Sequence, residues 1–217
     1  DGYSEIDSTT GLELDSDDDN DGIEDAADVF PNDSSESSDS DGDGVGDNAD
    51  AYPNDPSKQF FSIDEGLDLV ADESLARCVR EQAEGLINAG QLGALSCSSV
   101  ESLEGIDAFN QLQQLHLSDV RFANLLPLAG LKQIQSLRLE WGTGQIADLG
   151  PLSQLGTLEE LFVNGHRVLD LGPLANLQNL SRLDLIQNKI QNISPITGLG
   201  QLQELNLQGN QVPEIPS

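Results

Sequence analysis

Pairs of apolar residues set two apart recur at nearly constant spacing through the second half of the chain, and no other feature narrows the fold so far. They are Leu115/Leu117, Leu137/Leu139, Leu161/Val163, Leu183/Leu185 and Leu205/Leu207, separated by steps of 22, 24, 22 and 22 residues. One frame surrounds each pair, clearest as Leu174-x-x-Leu177-x-x-Leu180-x-x-Leu183-x-Leu185-x-x-Asn188-x-Ile190-x-x-Ile193-x-Pro195. Alternation by two marks a short strand with one buried face. A fixed period near 22 means that each unit is one coil stacked on the last, because so short a coil cannot bury its own apolar face.

The frame is that of a leucine-rich repeat solenoid. Its Ile-x-x-Ile-x-Pro ending, visible again as Ile146-x-x-Leu149-x-Pro151 and Val168-x-x-Leu171-x-Pro173, resembles the internalin type of bacterial protein. The expected fold class is an α/β solenoid, a leucine-rich repeat arc of about five copies over residues 106–217. The resemblance implies recognition of a protein, or less often a glycan, on the concave sheet. Residues between and beside the leucines line that face, among them Arg138, Phe162, Arg182, Asp184 and Ile186. Phe162 and Ile186 are apolar where side chains should meet solvent: either ordinary surface residues or ligand anchors flanked by the polar groups. The 24-residue step carries the only tryptophan, Trp141, beside a two-residue insertion, either as an edge contact or folded back on the solenoid. Asn188 and Asn210 hold the position where this repeat type bonds backbone between coils; Val120 and His166 hold it earlier. His166 is therefore a substitute ladder residue and His116 a surface residue.

Residues 59–105 read as the N-terminal cap of the arc. Asp72 suits a helix N-cap, and apolar residues from Leu75 to Leu86 recur at helical spacing, predicting a helix over about 73–88 with Gly90 as its stop. Leu95-x-Cys97 reads as a degenerate first strand with Cys97 pointing inward beneath that helix. A Cys78–Cys97 disulfide is expected, with two buried free thiols as the alternative.

Residues 1–58 are a second repeat of different composition. Asp17-x-Asp19-x-Asp21-Gly22-Ile23-x-Asp25-x-x-Asp28 returns 22 residues later as Asp39-x-Asp41-x-Asp43-Gly44-Val45-x-Asp47-x-x-Asp50, and Phe30-Pro31-Asn32-Asp33 as Tyr52-Pro53-Asn54-Asp55. Carboxylates at positions 1, 3, 5, 9 and 12, glycine at 6 and a carbonyl at 7 are the donor set of a Ca2+ loop. The expected ligands are thus Asp17, Asp19, Asp21, Ile23, Asp25, Asp28 and Asp39, Asp41, Asp43, Val45, Asp47, Asp50. No amphipathic helix flanks either loop, so an EF-hand is disfavoured. The pattern resembles thrombospondin type 3 repeats, which implies an extracellular segment with calcium as its core; a disordered acidic linker is the alternative. Asp1, Tyr3 and Glu5 fall in the same register as a partial site, implying either a longer parent chain or completion by a neighbouring molecule.

The chain carries a formal charge of −30. Residues 1–58 hold 20 acids against one lysine, or −19; the rest holds 19 acids against 8 basic residues, or −11. Such a surface repels nucleic acid and anionic membranes, and no apolar run is long enough to insert into a bilayer. Nothing resembles a nucleophile–base pair, a phosphate loop or a catalytic metal cluster, so an enzyme is not expected. Together these readings describe a secreted or cell-surface bacterial protein, a calcium-rigidified stalk presenting a recognition or adhesion arc. The alternative is a structural subunit that self-associates through its ends into calcium-dependent filaments.

Overall fold

The computed structural model describes residues 16–213, which form two units divided between Phe60 and Phe61. The division lies two residues beyond the boundary expected from composition. Calls on Asp1, Tyr3, Glu5 and Ile215 lie outside the described residues.

Residues 16–60 contain no regular helix or strand. Their backbone is closed by turns that repeat almost bond for bond: Asp25 N–H to Ser16 and Asp47 N–H to Ser38, Asn32 to Phe30 and Asn54 to Tyr52. No large apolar side chain of this unit is buried; the buried polar residues there are Glu36 and Asp50.

The second unit is a single parallel sheet. Its strands are β1 (Ala94–Ser98), β2 (Gln114–Ser118), β3 (Ser136–Glu140), β4 (Glu160–Asn164), β5 (Arg182–Asp184) and β6 (Glu204–Asn206), paired in chain order. The leucine pairs sit in register from strand to strand, as Leu115, Leu137, Leu161, Leu183 and Leu205 do. Each frame's proline opens a 3-10 turn, at Leu126–Gly130, Gly150–Leu152, Gly172–Leu174 and Ser194–Ile196. Proline tolerates that place because its missing N–H has no partner to lose in a first turn. Strand and turn leucines of successive coils merge into one core running from Leu67 to Leu199. Each such burial contributes about 1.5–3 kcal/mol relative to exposure.

Asn188 links two successive coils. Its Nδ2 donates to the carbonyls of Val163 and Leu185, and its Oδ1 accepts from Val168 N–H at 3.0 Å. Asn210 repeats the pattern with Leu185, Leu207 and Ile190. At His166 the ring instead reaches the Gly144 carbonyl through Nδ1 at 2.8 Å.

Two helices precede the first strand, and the second packs against it. In α1 (Ile63–Leu69), Ser62 and Glu65 form a reciprocal capping box. In α2 (Glu73–Gln82), the Asp72 carboxylate accepts from Leu75 N–H. The helix ends at Gln82 rather than near 88. Gln82 turns its amide onto the backbone of Ser96, bonding both its N–H and carbonyl, and Gly85 follows in left-handed backbone. Cys78 and Cys97 are joined by a disulfide that ties α2 to β1.

Candidate functional site

Two acidic loops carry the donor set read from the sequence. The carboxylates of Asp17, Asp19 and Asp21 gather within 4.8 Å of one another, as do those of Asp39, Asp41 and Asp43. What gathers them is the backbone. Asp17 Oδ2 accepts Gly22 N–H and Asp39 Oδ2 accepts Gly44 N–H; Asp19 and Asp41 each take the N–H two residues on. Asp21 and Asp43 take the N–H of Ile23 and Val45, the residues expected to offer carbonyls. Position 4 of each loop must be left-handed, which Gly42 adopts freely and Asn20 tolerates.

One oxygen of each carboxylate is thus spent on the loop itself. The other oxygens of Asp19, Asp28, Asp41, Asp43 and Asp50 are buried with no hydrogen-bond partner among the described residues. Asp50 as a whole is only 8% exposed, with Oδ1 on Tyr52 N–H and Oδ2 unsatisfied. Burial pushes the Asp19 and Asp41 carboxyls above the ordinary range, and neighbouring carboxylates, Asp28 and Asp50 included, add to the shift. Buried, unpartnered anionic oxygens converging from positions 3, 5 and 12 suit a hard cation with oxygen ligands.

Asp25 and Asp47 are used differently from what their spacing suggested. Asp25 Oδ1 accepts Asp18 N–H, and Asp47 Oδ1 accepts Ser40 N–H. Asp47 Oδ2 takes the hydroxyls of Ser38 and Ser40; the Ser40 N–H first, and then these hydroxyls, hold the carboxyl below the ordinary range. These residues latch the loop entrance. Sequence reading also passed over Glu36. Its buried carboxylate takes Asn48 N–H at 3.1 Å and lies where a Cβ at Gly46 would stand, so it ties the first copy's tail to the second loop. A glutamate amid serines, three residues before a loop, was the only hint.

On the sheet, the outward residues form a ladder of polar pairs between adjacent strands. His116 meets Glu140 at 3.2 Å, Arg138 meets Glu160 at 3.1 Å, and Arg182 meets Glu204 at 2.8 Å. Phe162 is not the open anchor its position implied. The guanidinium carbons of Arg138 and Arg182 lie 3.9 and 5.2 Å from its ring centroid, leaving it 4% exposed. Asp184 stands beside Phe162 in the neighbouring strand, and Ile186 is half-buried just beyond β5. Toward β1 the face opens into a groove of about 580 Å³ whose lining includes Gln82, Ser96, Gln114, His116, Ser136 and Arg138. Trp141 sits at the sheet edge and is 45% exposed.

A family model described as leucine rich repeat matches residues 152–212. Comparison with curated proteins finds no match. Among solved structures, an internalin C2 from Listeria monocytogenes is 25% identical, with a TM-score of 0.39, over 71% of this chain and 90% of that one. An internalin, inlF, from the same organism is 19% identical, with a TM-score of 0.47, over 71% of this chain and 60% of that one. The leucine-rich repeat ectodomain of a plant membrane receptor kinase from Arabidopsis thaliana is 22% identical, with a TM-score of 0.44, over 49% and 13%. Among the described residues no helix is long and apolar enough to cross a membrane.

Proposed function

From a leucine-rich repeat arc whose sheet face is polar and continuous, we propose that the protein is an extracellular recognition or adhesion protein that binds a protein ligand on that face and uses calcium to organise its acidic repeats. The observation that carries the recognition reading is the open sheet itself. Six strands present aligned columns of charged and amide side chains, with a groove of about 580 Å³ beside them. Cross-strand pairs hold Arg138, Glu160, Arg182 and Glu204 in place before any partner arrives, which lowers the entropy lost on binding. Glycan remains the narrower variant of the same reading.

Calcium is supported by the buried, unsatisfied oxygens of Asp28, Asp43 and Asp50 and of Asp19 and Asp41. The residues that would hold the ion are those at positions 1, 3, 5 and 12, with the carbonyls of Ile23 and Val45; the ion would supply the positive charge these oxygens lack. Extracellular modules of this kind bind at about 10⁻⁴–10⁻³ M. Calcium titration by calorimetry is expected to show saturable binding that Asp50→Asn weakens at least about tenfold, while Asp47→Asn, which keeps an oxygen for the Ser40 N–H, weakens it less. Heat signals unaltered by Asp50→Asn would remove the site.

A further inference from the structure

Just beyond each strand, one residue on after β1 to β4 and three after β5 and β6, the chain passes through left-handed backbone at Ser99, Asp119, Trp141, Gly165, Gln187 and Gly209. Glycine is suited to this place and polar residues tolerate it, but a bulky aromatic residue is not. Trp141 is nevertheless held there at φ 51°.

The surrounding structure is built to keep it so. Trp141 N–H donates to the Asn164 carbonyl at 2.8 Å, and its own carbonyl accepts Val120 N–H at 2.7 Å. On the next coil Gly165 lacks the Cβ that would collide with the indole, so the ring lies against bare backbone. The inserted segment that follows is fixed on both sides. Gly142 and Gly144 press so closely on Val120 and Phe122 that neither could carry a side chain. Gly144 N–H donates to Val120, and its carbonyl accepts from the buried ring of His166. The only Trp, the only insertion and a buried histidine thus converge on a rigid, half-open aromatic face at the sheet edge.

The charges nearby select what can occupy it. Asp119 holds the equivalent place on the preceding coil, oriented by Ser99 Oγ at 2.8 Å and Arg121 at 2.7 Å. Arg121 is itself shared with Glu101, and Glu140, which meets His116 at 3.2 Å, immediately precedes the indole. The acids outnumber the bases here, as they do across residues 59–217, with 19 against 8. A cation over the face of an indole gains from the ring's quadrupole, and from any carboxylate beside it. We propose that the Trp141 edge is the docking point for a lysine- or arginine-bearing segment of a protein partner, its cationic head seated on the indole beside Asp119 and Glu140. This rests on the reading of the arc as a recognition surface.

Because Trp141 is the only tryptophan, its fluorescence reports on this place alone. The probe is an octalysine peptide added to the full chain in excess calcium. A saturable change in Trp141 emission is expected, weakening severalfold between about 50 and about 300 mM salt. Trp141→Asn, which tolerates left-handed backbone and so spares the fold, should lower the affinity for dye-labelled octalysine by about fivefold or more, and Trp141→Phe by less. Emission unmoved while the peptide binds, or an equal response to a neutral oligosaccharide, overturns the proposal. Binding that responds to Glu160→Gln on the sheet but not to Trp141→Asn overturns it too, and leaves the arc as a recognition surface. Binding that responds to neither places the peptide on the acidic repeats and overturns the proposal as well.

Discussion

The two units share a 22-residue period and almost nothing else. In the arc, the repeated residue is leucine, and each coil buries it against the coils on either side. In residues 16–60 the repeated residue is aspartate, and no large apolar side chain is buried at all. Both solve the same problem, which is to fix a chain too short per repeat to hold itself. The arc does so by removing apolar area from water, a gain that needs nothing from solution. The acidic unit collects anionic oxygens whose mutual repulsion opposes the arrangement, which on the reading proposed above a cation offsets. A repeat period therefore tells how often a chain reuses a solution, and side-chain chemistry tells whether that solution is self-sufficient.

The sharpest test of the contrast is to withdraw calcium. In chelator, residues 16–60 are expected to lose their structure outright while the arc's melting temperature stays put. Limited proteolysis read by mass spectrometry, beside circular dichroism, would show cleavage spreading through the acidic unit alone. Equal protection with and without calcium would erase the distinction. The converse perturbation strikes the arc. Leu183→Ala in β5 removes a side chain 1% exposed and should cost about 2–5 kcal/mol of arc stability. Calcium titrations of that variant should match those of the unaltered chain; a shift would mean that the two units are coupled.

An intermediate effect is expected at the disulfide. The bridge spans 19 residues of sequence between α2 and β1, and closing such a loop contributes about 3 kcal/mol on the chain-entropy model. The paired change Cys78→Ser and Cys97→Ser should lower the arc's denaturant midpoint by a corresponding amount and leave calcium binding alone. Loss of the calcium response in this variant would again blur the line between the units.

The arc was largely legible because its fold is written in spacing. Leu115 to Leu207 set the strands, the frame prolines set the 3-10 turns, and Asn188 and Asn210 announced the ladder. The loops were legible for the same reason, since Gly22 and Gly44 mark the turn that folds three carboxylates together. Spacing could not say which atom of each side chain would be free. Asp25 and Asp47 stand at ligand positions, yet their oxygens hold Asp18, Ser38 and Ser40. Phe162 stands at a solvent position, yet two arginines from adjacent strands close over it. Both outcomes depend on neighbours about a full repeat away or on rotamers, neither of which a one-dimensional pattern carries. Helix α1 was missed although Ser62-x-x-Glu65 is a capping box, because only seven residues follow and no apolar periodicity extends beyond them.

The smallest expected effect lies within the arc, at a place where its ladder carries a titratable residue instead of asparagine. The partner of His166 Nδ1 is a carbonyl, so Nδ1 carries a proton, and Nε2 is buried without a partner among the described residues. Burial lowers its pKa below the ordinary 6.5, the carbonyls of Gly144 and Leu139 opposing less strongly. A histidine more acidic in the folded than in the unfolded state binds fewer protons when folded. Its contribution is therefore complete above the unfolded pKa, is lost as pH falls below it, and levels off beneath the folded value. Thermal melts of the arc in excess calcium should fall between about pH 7 and about pH 5 more steeply for the unaltered chain than for His166→Asn. The asparagine does not titrate, and in this register it offers Ile146 the acceptor that Asn188 offers Val168. Parallel pH profiles would mean that His166 adds nothing of its own. The arc would then owe its acid sensitivity to surface carboxylates, as the acidic unit does, and the contrast between the units would narrow to calcium alone.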